Sequence, residues 1–260
     1  MTPRQDCALT HTGNVRSNNE DACFNDAIRG LWVVADGMGG HEAGEVASAI
    51  VIETVNNSVK QGNSLADAIQ QAHHTIVDSA ARGLGARGMG STVVAVKSEG
   101  NRYQVAWVGD SRAYLWTRTD ERRGTLEQVT ADHSYVQMLV RAGAITPEQA
   151  EVHPDRHVIT QCLGSLELKT VRVDTVDREW QENQWLLLCS DGLTDELEDS
   201  LMEAILANHT TLPSAANALL QHALDNGGRD NTTLILIGQP MEPTGLWDAM
   251  TGWFTRRKNR

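Results

Sequence analysis

Where the short apolar runs of this chain stop constrains it more than any other feature. Leu31-Trp-Val-Val-Ala-Asp36 and Trp185-Leu-Leu-Leu-Cys-Ser190 each lead into an aspartate followed by glycine, Asp36-Gly37 and Asp191-Gly192. Tyr103-Gln-Val-Ala-Trp-Val108 leads into Gly109-Asp110, and Asp230 stands just ahead of Thr232–Ile237. With Ser91-Thr-Val-Val-Ala-Val96, these runs are short, mostly β-branched and bounded by Asp, Gly or charged turns, which is the signature of strands. Arg112–Trp116 follows Gly109-Asp110 closely enough to predict a hairpin with the strand before it.

Between the first and second groups of strands the apolar period changes. Val46, Ala47, Ile50, Val51, Val55 and Val59 recur at helical spacing over 45–59, and Leu65, Ala68, Ile69, Ala72, Ile76 and Ala80 do so behind Ser64, a plausible N-cap. Two further helices are expected over 196–207 and 213–224. Helices thus come in pairs between groups of strands, which argues against a doubly wound parallel sheet. Residues 132–165 mix a short helical piece at 135–142 with a polar stretch holding His153, Pro154 and His157. They read as an insertion lying over the body, a flap.

The bulk properties narrow the function. In 260 residues there are 34 acidic and 22 basic side chains, a formal charge of −12, which argues against a nucleic-acid partner. The four cysteines, Cys7, Cys23, Cys162 and Cys189, form no CxxC pair, and no histidines fall at zinc-ligand spacing near them. Cys189 reads as a small core hydrophobe and the compartment as reducing. The start, MTPRQDCALT, has no apolar leader, and no apolar run approaches the roughly 20 residues that span a bilayer, so a cytoplasmic protein is expected.

The acids carry the chemistry. Carboxylates at strand ends can converge without each needing an ordered loop. Gathered together they repel and resist ionisation unless a cation neutralises them, and hard oxygen ligands suit Mg²⁺ or Mn²⁺. A glycine after Asp36 and Asp191 lets the backbone approach closely, so that a carbonyl can join the coordination. A single Asp-Gly pair is most often only a turn; five acidic places, four of them against strands, are a different matter.

Arg16-Ser-Asn-Asn-Glu-Asp21, Asp36-Gly-Met-Gly-Gly40, Gly90-Ser-Thr92, Val108-Gly-Asp-Ser-Arg112, Ser190-Asp-Gly192 and Gly228-Arg-Asp-Asn231 occur in order. In order and spacing they resemble the type 2C, or PPM, protein serine/threonine phosphatases of the bacterial branch, over residues 8 to 238. The resemblance implies an α+β fold, a four-layer α/β/β/α sandwich of two antiparallel sheets with a small flap insertion. It also implies two or three Mn²⁺ or Mg²⁺ ions. Asp36 would bridge two of them, with the Gly37 carbonyl on one and Asp191 and Asp230 beside the bridge. Glu20 and Asp21 match the family's acidic pair, Asp21 acting mainly through bound water. Asp110 and Asp195 match the positions of a third, weaker ion. Arg16 matches the residue that grips the substrate phosphate.

The reaction implied is hydrolysis of phosphoserine and phosphothreonine on proteins by a water bridging two cations, without a phosphoenzyme, opposing a serine/threonine kinase. No arginine follows Cys189 at the spacing of a thiol-phosphatase loop. Met38 stands where some relatives carry a histidine proposed as general acid, and His41 is read as a polar residue near a helix start, so the acid is unassigned. His133, His153 and His157 are read as surface or hydrogen-bonding residues, and Met89 and Trp107 as packing residues. Two alternatives stay open: a non-catalytic module that binds phosphoproteins, and a small-molecule phosphoesterase on the same fold. The partners expected are phosphorylated proteins, substrates of a bacterial kinase with a secretion-system link. Residues 1–240 are expected to form the catalytic domain. Residues 241–260, with Trp247, Trp253, Phe254 and a basic end, read as a flexible extension rather than a membrane contact.

Overall fold

The computed structural model describes residues 3–39 and 43–240. His41 and the extension at 241–260 therefore lie outside the described residues. In chain order the elements are β1 (Arg4–His11), β2 (Asp21–Asp26), β3 (Leu31–Met38), α1 (Ala43–Lys60), α2 (Leu65–Ala81), β4 (Gly90–Ser91), β5 (Val93–Glu99), β6 (Arg102–Val108), β7 (Arg112–Asp120) and β8 (Arg123–Gln128). There follow α3 (Tyr135–Arg141), α4 (Pro147–Glu151), β9 (Asp174–Glu179), β10 (Gln184–Cys189), α5 (Asp191–Thr194), α6 (Asp199–Asn208), α7 (Leu212–Asp225) and β11 (Thr232–Pro240).

One sheet has the order β1-β11-β10-β7-β8. The other has β2-β3-β5-β6-β9, with β4 paired to β3, and every pairing is antiparallel. Strand alternation sorts the core into three layers. On β3, Trp32 and Val34 meet Leu186, Leu188, Ile235 and Ile237 of the facing sheet, whereas Leu31, Val33 and Ala35 pack under α1 and α2. Leu187, Cys189, Leu234 and Leu236 turn outward beneath α6 and α7. The central strands are buried on both faces, which is why they read as unbroken apolar runs. Helices flank a pair of antiparallel sheets, as the resemblance implied.

The hairpin expected between 103–108 and 112–116 does not form. β6 belongs to one sheet and β7 to the other. Gly109 takes φ +107°, a conformation that glycine adopts without strain, and the chain crosses between sheets there instead of folding back. Two smaller differences follow local hydrogen bonding. Thr92 separates β4 from β5, because its amide donates to Asp36 O (2.9 Å). The helix expected from residue 196 begins at Asp199 behind the N-cap Glu198, after the separate turn α5. Cys189 is fully buried and all four cysteines are free thiols. Met89 and Trp107 are core residues, as read from the sequence.

Candidate functional site

The acids flagged in the sequence gather at one end of the sandwich, supplied by both sheets. Asp21 and Asp36 are cross-strand partners on β2 and β3. Asp191 leaves β10, Asp230 precedes β11, and Asp110 sits on the crossover between β6 and β7. The carboxyls of Asp36 and Asp191 lie within hydrogen-bonding reach of each other. Asp21 is 8% exposed; Ser190 Oγ donates to its Oδ2 at 2.8 Å, while its Oδ1 is buried with no partner.

The electrostatics follow from crowding. Desolvation is the largest cause in each case, although Asp36, Asp110 and Asp191 are only half-buried as whole residues. Burial, then Asp21, Asp191 and Asp110, pushes Asp36 well above the ordinary carboxylate range. Asp110 rises likewise through burial and Asp191. Asp21 is raised to about 7 by burial, and Asp191 to about 6 by burial and Asp195. Added positive charge nearby would favour the ionised form of each.

The flanking residues are fixed by hydrogen bonds. Asp36 N donates to Thr92 Oγ1 (3.3 Å), Ser91 Oγ donates to Asp36 O (3.0 Å), and Thr92 Oγ1 pairs with Ser111 Oγ (2.7 Å). Gly37 N donates to Glu20 O (3.2 Å), and Ser48 Oγ of α1 donates to the same carbonyl (2.6 Å). A Cβ on Gly37 would stand 2.0 Å from Gly44 O, and one on Gly192 2.0 Å from Asn231 O, so close backbone approach requires glycine at both. The Glu20 carboxyl turns toward Gly44 in the first turn of α1. Arg16 Nη2 donates to Asp230 Oδ2 at 2.6 Å. Asp195 lies further out, with His157 Nδ1 of the flap 3.4 Å from its Oδ2.

Several supporting residues were not read as functional in the sequence. Asn231 Oδ1 accepts from Glu20 N (2.7 Å), and its Nδ2 donates to Thr12 O (2.9 Å) and Asn18 O (2.8 Å), binding the turn that carries Arg16 to the strand end. Ser190, Thr92 and Ser111 are buried around the acids. His133, read only as a hydrogen-bonding or surface residue, is 5% exposed and accepts from Gly109 N at its Nδ1 (3.2 Å).

The donor set fits divalent cations. It is made of hard oxygens that destabilise one another, with one orphaned carboxyl oxygen facing inward. Among the described residues no three acidic, histidine or cysteine side chains close around a single point.

A family model described as protein phosphatase 2C matches residues 11–226. The chain belongs to the protein phosphatase 2C family. Among its family relatives, the serine/threonine phosphatase stp of Listeria monocytogenes is 36% identical over 249 residues, covering 91% of this chain and 96% of that protein. The crystal structure of the catalytic domain of PstP, in complex with two manganese ions, superposes with a TM-score of 0.78 at 34% identity, covering 92% of this chain and 99% of that one. PppA, described as a key regulatory component of the type VI secretion system in Pseudomonas aeruginosa, superposes at 0.75 with 30% identity, covering 92% and 98%. The two antiparallel sheets and their flanking helices are thus the phosphatase 2C fold.

Proposed function

We propose that this family member hydrolyses phosphoserine and phosphothreonine on proteins, opposing a bacterial serine/threonine kinase, with residues 1–240 as catalytic domain and 132–165 as its flap. The observation that carries the reading is the gathering of Asp21, Asp36, Asp110 and Asp191, each destabilised by burial and by a neighbouring acid, beside a phosphate-competent arginine.

The residues that would hold two or three Mn²⁺ or Mg²⁺ ions are Asp36 at the centre, with the Gly37 carbonyl, Asp191 and Asp230 around it. Glu20 and Asp21 would act on the inner side, and Asp110 and Asp195 at a further ion. When bound, such ions supply Lewis acidity toward phosphoryl oxygens and bring water's pKa toward neutrality. Arg16, exposed at the rim and held by Asp230, presents a planar guanidinium that can donate two parallel hydrogen bonds to a phosphoryl group. Asn231 holds the Arg16 turn in register with the acids. Cys189 is no nucleophile: burial pushes its thiol up to about 12 and keeps it from solvent. Direct attack by water on phosphorus, without a phosphoenzyme, is what the family resemblance implies. The secretion-related role of PppA suggests a phosphorylated secretion or signalling component as substrate class.

Phosphate release from a phosphothreonine peptide tests the reading. It is expected with Mn²⁺ and expected to vanish in excess chelator. Asp36→Asn and Asp191→Asn are each expected to lower turnover by at least about a hundredfold, since each removes charge from the metal-holding set. Undiminished turnover in metal-free buffer would overturn it.

A further inference from the structure

Beside the acids lies an ion pair that none of the roles above uses. Glu196 follows Asp195 in the chain, and Arg229 precedes Asp230. The Glu196 carboxylate accepts from Arg229 N (3.0 Å to Oε1), Nε (2.9 Å to Oε1) and Nη2 (3.1 Å to Oε2). Arg229 Nη2 also reaches Asp195 O at 3.4 Å, and Asn226 Nδ2 donates to Glu196 O at 2.8 Å. The glutamate side chain is 3% accessible, whereas the arginine is 66% accessible. The carboxylate is shielded and gripped by three bonds in a near-bidentate fork, so the pair holds its loop at a defined place.

Its position suggests where. One of its three bonds comes from the backbone amide of Arg229, which fixes the main chain one residue before Asp230. On the opposite side of the same loop, Asn14 N donates to Gly228 O (2.6 Å) and Asn14 Nδ2 to Gly227 O (3.0 Å). The loop is gripped from both flanks, and Asp230 is what it presents. We infer that Glu196 and Arg229 are a positioning pair, locking the Asp230 loop against the Asp191–Asp195 turn so that carboxylates from two separate segments address the same cations. This rests on the cation-holding role proposed above for Asp191, Asp195 and Asp230. Neither is among the residues proposed above to hold an ion or the phosphate; both act through the acids next to them.

Titration calorimetry of Mn²⁺ into the metal-stripped full chain tests it, alongside unfolding midpoints in chelator. Glu196→Ala and Arg229→Met are expected to weaken Mn²⁺ binding by about tenfold or more, the usual effect of losing a residue that orients a metal ligand. Glu196→Gln, which keeps an acceptor for the Arg229 amide, is expected to recover part of that loss. Should Glu196→Ala fail to fold, Arg229→Met, altered at an exposed side chain, carries the comparison. Variants that bind Mn²⁺ within about twofold of the parent, with or without a lower unfolding midpoint, would show a merely structural pair and overturn the inference. A parent chain that binds no Mn²⁺ would instead overturn the functional reading beneath it.

Discussion

Asn231 shows how the site is held at the scale of one residue. It is 5% exposed, and its amide meets one backbone donor and two backbone acceptors from the turn at 12–20. Asn231→Ala would leave buried polar groups unpaired, each costing about 1–3 kcal/mol. We expect a loss on the order of 3 kcal/mol by urea unfolding in chelator; a loss below about 1 kcal/mol would mean that the turn holds itself. Asp36, Asp110, Asp191 and Asp230 were legible in the sequence because each sits beside an apolar run, whereas the roles of Glu20, Asp21 and Asp195 came from the resemblance alone. The contacts of Asn231 and Ser190, which stand in two of the motifs, were not legible. Asn231 meets Glu20 across 211 positions and Ser190 meets Asp21 across 169, and no local pattern records such a pairing.

At the scale of elements, the flap is tied down at two roots by the same device. At one root, His133 Nδ1 accepts from Gly109 N (3.2 Å); at the other, His73 Nδ1 accepts from Gly164 N (3.1 Å). Their Nε2 atoms face Asp174 Oδ2 (3.3 Å) and Leu168 O (3.0 Å) respectively. Burial lowers both imidazoles, His133 despite Asp174 and with help from Arg172 and Arg141. A histidine depressed in the fold contributes stability that is present above the unfolded value, ordinarily about 6.5, and lost as pH falls through the folded one. A protonated Nδ1 can no longer accept. Amide hydrogen exchange across 133–164, corrected for intrinsic rates, should therefore accelerate between pH 7 and pH 5 relative to β10 and β11; equal protection at both pH values would rule this out. Edge strands were the elements hardest to see in the sequence. β8 and β9 alternate exposed and half-buried positions and are largely polar or charged, so they lack the apolar run that marked the central strands. The Gly109-Asp110 turn looked like a hairpin because a crossover between sheets uses the same residue types as a fold-back.

For the whole molecule, the raised carboxyls dominate the response to pH. A group whose folded pKa exceeds its unfolded one stabilises the fold at low pH and loses that contribution as pH rises through the folded value. For Asp191 and Asp21 those values are about 6 and about 7, and Asp36 and Asp110 shift in the same direction. With Asp195, raised by burial as well, these carboxyls outnumber the two buried histidines that pull the other way. In chelator the unfolding temperature should therefore drop between pH 5 and pH 8, and Mn²⁺ should raise it more at pH 8, where cations no longer compete with protons. A temperature that climbs across that range would show that the acids do not crowd one another. The same crowding has a mechanical side. Asp21 and Asp36 ride on one sheet, and Asp191 and Asp230 stand just off strand ends of the other, with the Gly109 crossover spanning the seam. Any sliding of one sheet over its mate would pull the charges apart, so an ion seated across that seam would act as a rivet against shear.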